Sequence, residues 1–302
     1  MLKETTKKER IYKIRMQMTM MSIVLLIVIF MAVIALRCED VYASEMQEVT
    51  SPIIVEPVKE IVPLSMVKTI EEVKQIPYEP MFEPGVFSHT FKDQASGRTL
   101  SYWIIIPEHN SAGMPLVVYL HGDSYLYNFE GLPYSPLPGN AKMKYGEDIP
   151  CIFLIPHMQQ GTWGDMGNCQ AVKNLIGLVS CQYCTDMSRI ALTGFGSGAI
   201  GCWKMADEYQ SFFSAIAPIS CRPGDVNCAN FSIVPIWAFI GDGEDDWGYY
   251  GEELKAMVDG INKMGGHAEL TVIEDMKHGG VEPYVYGGSL LEWLINPRFF
   301  AV

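Results

Sequence analysis

The pattern of apolar positions along the chain predicts an open sheet of mainly parallel strands. Wholly apolar runs occur at residues 116–120 and 151–155, as buried parallel strands require. Further strand-like runs lie at residues 100–106, 190–193, 214–218, 234–240 and 269–273. Helical patterns alternate with them at residues 171–179, 199–209, 252–264 and 289–295. This alternation indicates βαβ units, so we expect an α/β fold with a doubly wound sheet and helices on both faces.

The pattern changes at about residue 85, where the predicted domain begins and runs to residue 302. Residues 87–91 and 100–106, joined by a turn at 94–97, predict an antiparallel hairpin that leads into the sheet. Before the domain, residues 37–84 contain repeated prolines and no strong period, which favours an extended spacer.

The N-terminal segment predicts export. Residues 1–15 carry a net charge of +4, and residues 16–36 contain no charged side chain. At ~1.5 Å per residue this stretch can cross a ~30 Å hydrocarbon layer. Because basic residues precede the stretch, residues 1–15 are expected in the cytoplasm and the domain outside, on a single-pass anchor in the cell membrane. A signal peptide cleaved after Ala43 is the alternative, and it would release a secreted domain.

The negative net charge of the chain argues against one class of partner. The chain carries a net charge of −13, and without its basic N-terminus the remainder carries −17. Such an acidic body would repel phosphates, so nucleic acid is excluded as an expected partner.

Candidate catalytic residues follow the predicted strands. Ligands bind beyond the carboxyl ends of strands in open parallel sheets. Residues 121–124 (HGDS) follow the first buried strand, and residues 194–198 (GFGSG) link a later strand to a helix. An acidic cluster at 244–246 follows the next long strand, and His278 follows the last. An oxyanion-type loop, a strand–turn–helix elbow, an acid and a histidine therefore occur in the chain order of α/β-hydrolases.

From about residue 85 to 297 the chain resembles the esterase branch of the α/β-hydrolases. It is most similar to secreted polyhydroxybutyrate-depolymerase and feruloyl-esterase-like proteins. The resemblance rests on LVVYLHG at 116–122, SRIALTGFGSGAIGCW at 188–203 and VDGINKMGGHAELTVIEDMKH at 258–278. It implies the α/β-hydrolase fold and hydrolysis of carboxylic esters on small-molecule or polymer substrates, carbohydrate-linked ones included. It implies no metal ion or organic cofactor.

One departure from the family motif concerns the nucleophile. In a gapless alignment of Gly-x-Ser-x-Gly the glycines are Gly194 and Gly198, and Gly196 takes the place of the serine. Ser197 then matches the residue whose N–H serves the oxyanion hole. Without an Oγ at position 196 the acyl-enzyme route has no attacking atom. Three interpretations stay open: a noncatalytic binding protein on the cell surface, a hydrolase that uses Ser197 in a shifted elbow, and direct attack by water activated by His278.

The remaining roles follow from the same resemblance. His278 is expected as the catalytic histidine. A gapless count gives Glu244 as its acid, but a count back from the last helix favours Asp245 or Asp246, and Asp245 is the preferred candidate. The backbone N–H groups of Asp123 or Ser124, together with that of Ser197, would form the oxyanion hole. Aromatic side chains in the same loops suggest a substrate platform formed by Tyr125, Trp163 and Trp247.

Cysteine spacing suggests one bridge. Cys221 and Cys228 flank a loop that carries Pro223 and Gly224, and disulfides are permitted outside the cytosol. A four-cysteine zinc site formed with the Cys181–Cys184 pair is conceivable, but the spacing is not that of a zinc ribbon. We therefore expect no metal site.

Overall fold

In the computed structural model, residues 80–244 and 250–297 are described, and all of them belong to one unit, Ile76–Val302. They form one eight-stranded sheet with the strand order β1-β2-β4-β3-β5-β6-β7-β8. The strands are β1 (Gly85–Lys92), β2 (Thr99–Ile106), β3 (Leu116–Leu120), β4 (Ile152–His157), β5 (Ile190–Phe195), β6 (Ala215–Ile219), β7 (Ile236–Gly241) and β8 (Ala268–Ile273).

Pairing within the sheet is mainly parallel. Strand β2 runs antiparallel to both β1 and β4, and the strands from β4 to β8 in the sheet order are parallel to their neighbours. The predicted hairpin and each predicted strand are therefore present. The mainly parallel α/β sheet expected from the sequence is confirmed.

Helices cover both faces of the sheet. They are α1 (Pro136–Tyr145), α2 (Met166–Gln182), α3 (Ser197–Glu208), α4 (Gly251–Lys263), α5 (His278–Gly287) and α6 (Leu290–Ile295). Short 3₁₀ helices occur at Asp123–Tyr125, Phe129–Tyr134 and Cys228–Phe231. Residues of β3 show how the layers form, because successive side chains point to opposite faces. Val118 packs in a cluster with α2, α3 and α4, whereas Val117 packs in a second cluster with α1, α5 and α6.

Two of these helices, α1 and α5, were not predicted from the sequence. Helix α1 begins with Pro-Leu-Pro-Gly, and α5 contains Gly279, Gly280 and Pro283 within its ten residues. Proline and glycine have the lowest helix propensities, so the local sequence indicates neither helix. Tertiary packing compensates, since Leu137 of α1 and Val281 of α5 are buried in the same cluster.

The expected bridge between Cys221 and Cys228 is not formed. Both residues are free thiols in the structure, as are the other cysteines of the described part of the chain. Cys221 is buried, while the sulfur of Cys228 lies beside Gly260 of α4, 3.4 Å from where a Cβ atom on that glycine would stand. Within residues 80–244 and 250–297, no three His, Cys, Asp or Glu side chains cluster closely enough to hold a metal ion.

The predicted membrane segment, residues 16–36, lies outside the described residues, as do residues 1–15 and the spacer up to residue 79. No helix formed by residues 80–244 or 250–297 is long and apolar enough to cross a bilayer. The membrane anchor remains a prediction from the sequence.

Candidate active site

The carboxyl edge of the parallel sheet brings the predicted residues together. The chain order of the sheet reverses around β3, which pairs with β4 on one side and β5 on the other. Such a switch point opens a crevice beyond the strand ends. The oxyanion loop leaves β3 there, the elbow leaves β5, and the acid and His278 follow β7 and β8.

Close backbone packing requires glycine on both sides of the elbow. A Cβ atom on Gly198 would lie 1.9 Å from the carbonyl oxygen of Leu120, and one on Gly194 would lie 2.6 Å from the backbone of Gly198. Side chains are therefore sterically excluded at positions 194 and 198. These are the two glycine positions of the gapless motif alignment.

Position 196 has room for a side chain. Gly196 adopts φ +55° and ψ −117°, a left-handed conformation that glycine tolerates easily. A Cβ atom built there meets, among the described residues beyond its chain neighbours, only the imidazole of His278, at 3.4 Å from Nε2 and 3.7 Å from Cε1. The elbow thus aims the side-chain position of residue 196 at the histidine.

Ser197 is the first residue of α3, and its hydroxyl is directed elsewhere. Its Oγ donates a hydrogen bond to Oδ1 of Asp123 at 2.5 Å, which joins the elbow to the oxyanion loop. The first N–H groups of a helix have no acceptor within that helix. The backbone N–H groups of Ser197 at the start of α3 and of Asp123 at the start of its 3₁₀ helix are of this type. Ser124 is exposed on the same 3₁₀ helix.

His278 is paired with a buried glutamate. Its Nδ1 lies 2.7 Å from Oε2 of Glu244, whose side chain is 2% exposed. The other carboxylate oxygen, Oε1, accepts hydrogen bonds from the Ser220 hydroxyl at 2.7 Å and from the Gly241 N–H at 2.8 Å. Burial raises the pKa of the Glu244 carboxyl, but the hydrogen bonds from His278, Gly241 and Ser220 outweigh it, and the pKa lies below its ordinary value.

This contact corrects the preferred acid. Nδ1 of His278 is bonded to Glu244, the residue that a gapless count from Gly241 reaches. Asp245 was preferred on the assumption of one inserted residue, and both it and Asp246 lie outside the described residues. The loop needs no insertion because Glu244 folds back on the N–H of Gly241, three residues before it.

The oxyanion loop is supported by a neutral histidine. His121 is fully buried; its Nδ1 donates to the carbonyl oxygen of Gly122 at 2.8 Å, and its Nε2 accepts from the N–H of Met158 at 3.1 Å. Burial lowers the pKa of His121 to about 4. The imidazole is therefore uncharged at neutral pH and serves as a structural bridge between two loops.

Two residues of the predicted aromatic platform, Trp163 and Tyr125, lie within the described part of the chain. Trp163 is 3% exposed and its indole N–H donates to the carbonyl oxygen of His121 at 2.9 Å. It supports the oxyanion loop and has no open face, so its predicted contact with substrate is wrong. Tyr125 is half-buried beside His121, whereas Tyr127 is fully exposed. Trp247 lies outside the described residues.

Two further polar residues near the site were not predicted from the sequence. Ser220 directly follows β6, so the rule that ligands bind beyond the strand ends could have found it. Glu282 lies four residues after His278 on α5, is 7% exposed, and accepts a hydrogen bond from the hydroxyl of Tyr119. Burial raises the pKa of the Glu282 carboxyl. Its helix was not predicted, and this concealed its place beside His278.

Comparisons with known proteins agree with this architecture. No protein-family model matches the sequence. The chain is similar to acetylxylan esterase A from Emericella nidulans, with 25% identity over 147 residues, covering 44% of this chain and 45% of that protein. The chain thus spans about half the length of the curated relative that it matches.

Two solved structures of esterases are similar to this chain. A thermostable esterase superposes with a TM-score of 0.56 and 25% identity over 69% of this chain and 62% of its own. A mutant feruloyl esterase module from Clostridium thermocellum, in complex with sinapinate, superposes with a TM-score of 0.54 and 16% identity over 75% of this chain and 97% of its own. The chain has the α/β-hydrolase fold. Esterases of that fold are among its structural neighbours, which confirms the resemblance noted from the sequence.

Proposed function

We propose that residues 85–302 form an esterase-type site that binds carboxylic esters but lacks the serine acyl-enzyme route. The observation that supports this most directly is the glycine at position 196, where a Cβ atom would stand 3.4 Å from Nε2 of His278. A serine hydrolase needs an Oγ at this place, beside the histidine that takes its proton. Glycine supplies no attacking atom.

Two contacts argue against Ser197 as a replacement nucleophile. The steric exclusion of side chains at positions 194 and 198 favours the motif register in which residue 196 is the elbow residue. In that register Ser197 contributes its N–H to the oxyanion hole. Its hydroxyl, moreover, donates to Asp123. A shifted elbow would have to break this bond and rearrange the start of α3.

The rest of the site favours ester binding. The His278–Glu244 pair and the loop that begins at His121 lie at the same edge of the sheet. An oxyanion hole and binding contacts alone accelerated hydrolysis ~10³–10⁴-fold in subtilisin without its triad. A trace of turnover is therefore compatible with a binding protein, but brisk turnover is not.

The substrate class is proposed from the relatives and the surface. The names of an acetylxylan esterase and a feruloyl esterase point to acyl groups carried on plant-type carbohydrate. Tyr125 and Tyr127 on the oxyanion side offer aromatic faces of the kind that suit sugars and aromatic acyl groups. We propose that the domain is displayed outside the cell on the predicted membrane anchor at residues 16–36, where a polymer substrate would be accessible.

A fluorophosphonate probe tests the proposal, because it labels a serine that a histidine activates. We expect no labelling of the wild-type protein and labelling at position 196 in the Gly196→Ser variant, which is the positive control. The matched variant Ser197→Ala should behave as wild type. Labelling of wild type at Ser197, lost in Ser197→Ala, would show instead a hydrolase with a shifted nucleophile.

A further inference from the structure

Ser220 has an unusual backbone conformation at the end of β6. It is buried, and its φ of +56° lies in the left-handed region that residues other than glycine seldom occupy. Its N–H donates to the carbonyl oxygen of Phe239 at 2.8 Å, which extends the pairing between β6 and β7 by one residue. Backbone strain of this kind persists only where surrounding contacts compensate for it, and it often marks functional positions.

The compensating contact is the hydrogen bond to the acid of the site. The Ser220 hydroxyl and the Gly241 N–H both donate to Oε1 of Glu244, at 2.7 and 2.8 Å. Two donors on one oxygen fix the rotation of the carboxylate. Oε2 is thereby directed to Nδ1 of His278, at 2.7 Å.

We propose that Ser220 is a positioning residue, which uses its left-handed conformation to hold the Glu244 carboxylate with one oxygen on the His278 imidazole. The inference deepens the proposed function, on which it rests for the assignment of His278 and Glu244 to the site. It does not require that the site turn over an ester. Ser220 acts through Glu244, to which its hydroxyl donates.

The ionisable groups around the pair make the role of Ser220 measurable. Two ionisable groups act on Glu244: the imidazole of His278, the first residue of α5, and the thiol of Cys221, the residue after Ser220. Burial raises the pKa of Cys221 above its ordinary value, so that thiol is neutral. Glu282 faces His278 from within α5, and burial raises its pKa as well. The Ser220 hydroxyl is the neutral side-chain donor to Glu244 that a substitution can delete, whereas the Gly241 N–H belongs to the backbone.

The test is a titration of Glu244 in the full-length chain, with carbon-13 in the glutamate side-chain carboxyls. Glu244→Gln assigns the signal. Ser220→Ala and Ser220→Gly form a matched pair, since both delete the hydroxyl but only glycine tolerates a φ of +56° without strain. Stability of each variant is measured in parallel by urea unfolding.

Loss of a hydrogen bond to the charged form raises the pKa of a carboxyl. We expect the Glu244 midpoint to rise by roughly 0.5–1 pH unit in both variants. Ser220→Gly should be the more stable of the two.

An unchanged Glu244 midpoint in both variants would overturn the proposal. A shift in Ser220→Ala alone would also overturn it, because strain and not the hydroxyl would then be the cause. The titration needs no turnover, so its failure is separate from that of the proposed function. Brisk esterase turnover by the wild-type protein would contradict the proposed function. The role of Ser220 would still be decided by this titration.

Discussion

A Cβ atom on Gly196 would stand 3.4 Å from Nε2 of His278, at ordinary van der Waals distance. The elbow therefore presents its central residue to the histidine although that residue has no side chain. Its two flanking glycines differ, because Gly194 and Gly198 are pressed against backbone atoms. Packing therefore requires two of the three glycines in this loop, Gly194 and Gly198, whereas the third stands where the proposed function places the missing nucleophilic Oγ.

This difference predicts unequal costs for alanine substitutions. Gly198→Ala should lower the free energy of unfolding by more than about 3 kcal/mol, since its Cβ would overlap the carbonyl of Leu120. Gly196→Ala should cost less, about 1–3 kcal/mol, the penalty of placing a side chain on a strained backbone with positive φ. Urea unfolding of the two variants measures both values. Equal costs would mean that the elbow packs differently from the structure.

The buried His121 predicts a loss of stability in mild acid. Its pKa falls from the unfolded value of 6.5 to about 4 on folding. The folded state therefore binds fewer protons than the unfolded state, and stability falls as the pH drops from 6.5 to 4. The full effect is about 3 kcal/mol.

His121→Asn isolates this contribution. The variant should be less stable than wild type at neutral pH, because it loses the bridge to Met158. The difference in unfolding free energy between wild type and His121→Asn should become smaller as the pH falls from 6.5 to 4. A gap that stays constant across this window would show that His121 does not titrate with a depressed pKa.

The Glu244 carboxylate predicts a second, more acidic transition. Its folded pKa lies below the unfolded value of 4.5, so its contribution is present above pH 4.5 and is lost as the pH falls through the folded pKa. Glu244→Gln should cost about 2 kcal/mol at pH 7, because hydrogen bonds to a charged group are lost. Chemical denaturation at a series of pH values should show this cost shrinking below pH 4.5. If it shrinks at higher pH, the pKa of Glu244 is not depressed.

The N-terminal segment predicts the location of the domain. Residues 16–36 should span the membrane with the domain outside, because the basic residues precede the apolar stretch. Protease added to intact cells should digest residues 85–302 or release them from the surface. Protection of the domain in intact cells, followed by digestion after lysis, would contradict export.

Much of the fold could be predicted because each central strand is a short apolar run followed by a turn. The elbow at 194–198 could be predicted for the same reason, since it follows β5 and leads into a helix. Helix α5 could not be predicted, because Gly279, Gly280 and Pro283 oppose helix formation, and burial in the cluster that it shares with α1 and α6 compensates.

Some roles in the site depend on contacts that no local pattern encodes. Trp163 was expected to offer an open ring, yet its indole N–H reaches back to His121, forty-two residues earlier. Glu244, and not one of its acidic neighbours, faces the histidine because the loop after β7 folds back onto the N–H of Gly241. The hydroxyl of Ser220, which follows the adjacent strand β6, holds the same carboxylate. Sequence spacing indicates that an acid follows β7 but not which acid faces the histidine.

Esterase activity of the Gly196→Ser variant tests the proposed absence of a nucleophile most directly. Initial rates are measured on an activated ester for wild type, Gly196→Ser, Gly196→Ala and Ser197→Ala. Gly196→Ser should raise the rate by at least about two to three orders of magnitude; the serine–histidine–acid set of subtilisin gives about 10⁶-fold in kcat beyond its oxyanion hole and binding. Gly196→Ala, which adds a side chain without an Oγ, and Ser197→Ala should both stay at the low wild-type rate. Brisk turnover by wild type that Ser197→Ala abolishes would contradict the account and assign catalysis to Ser197.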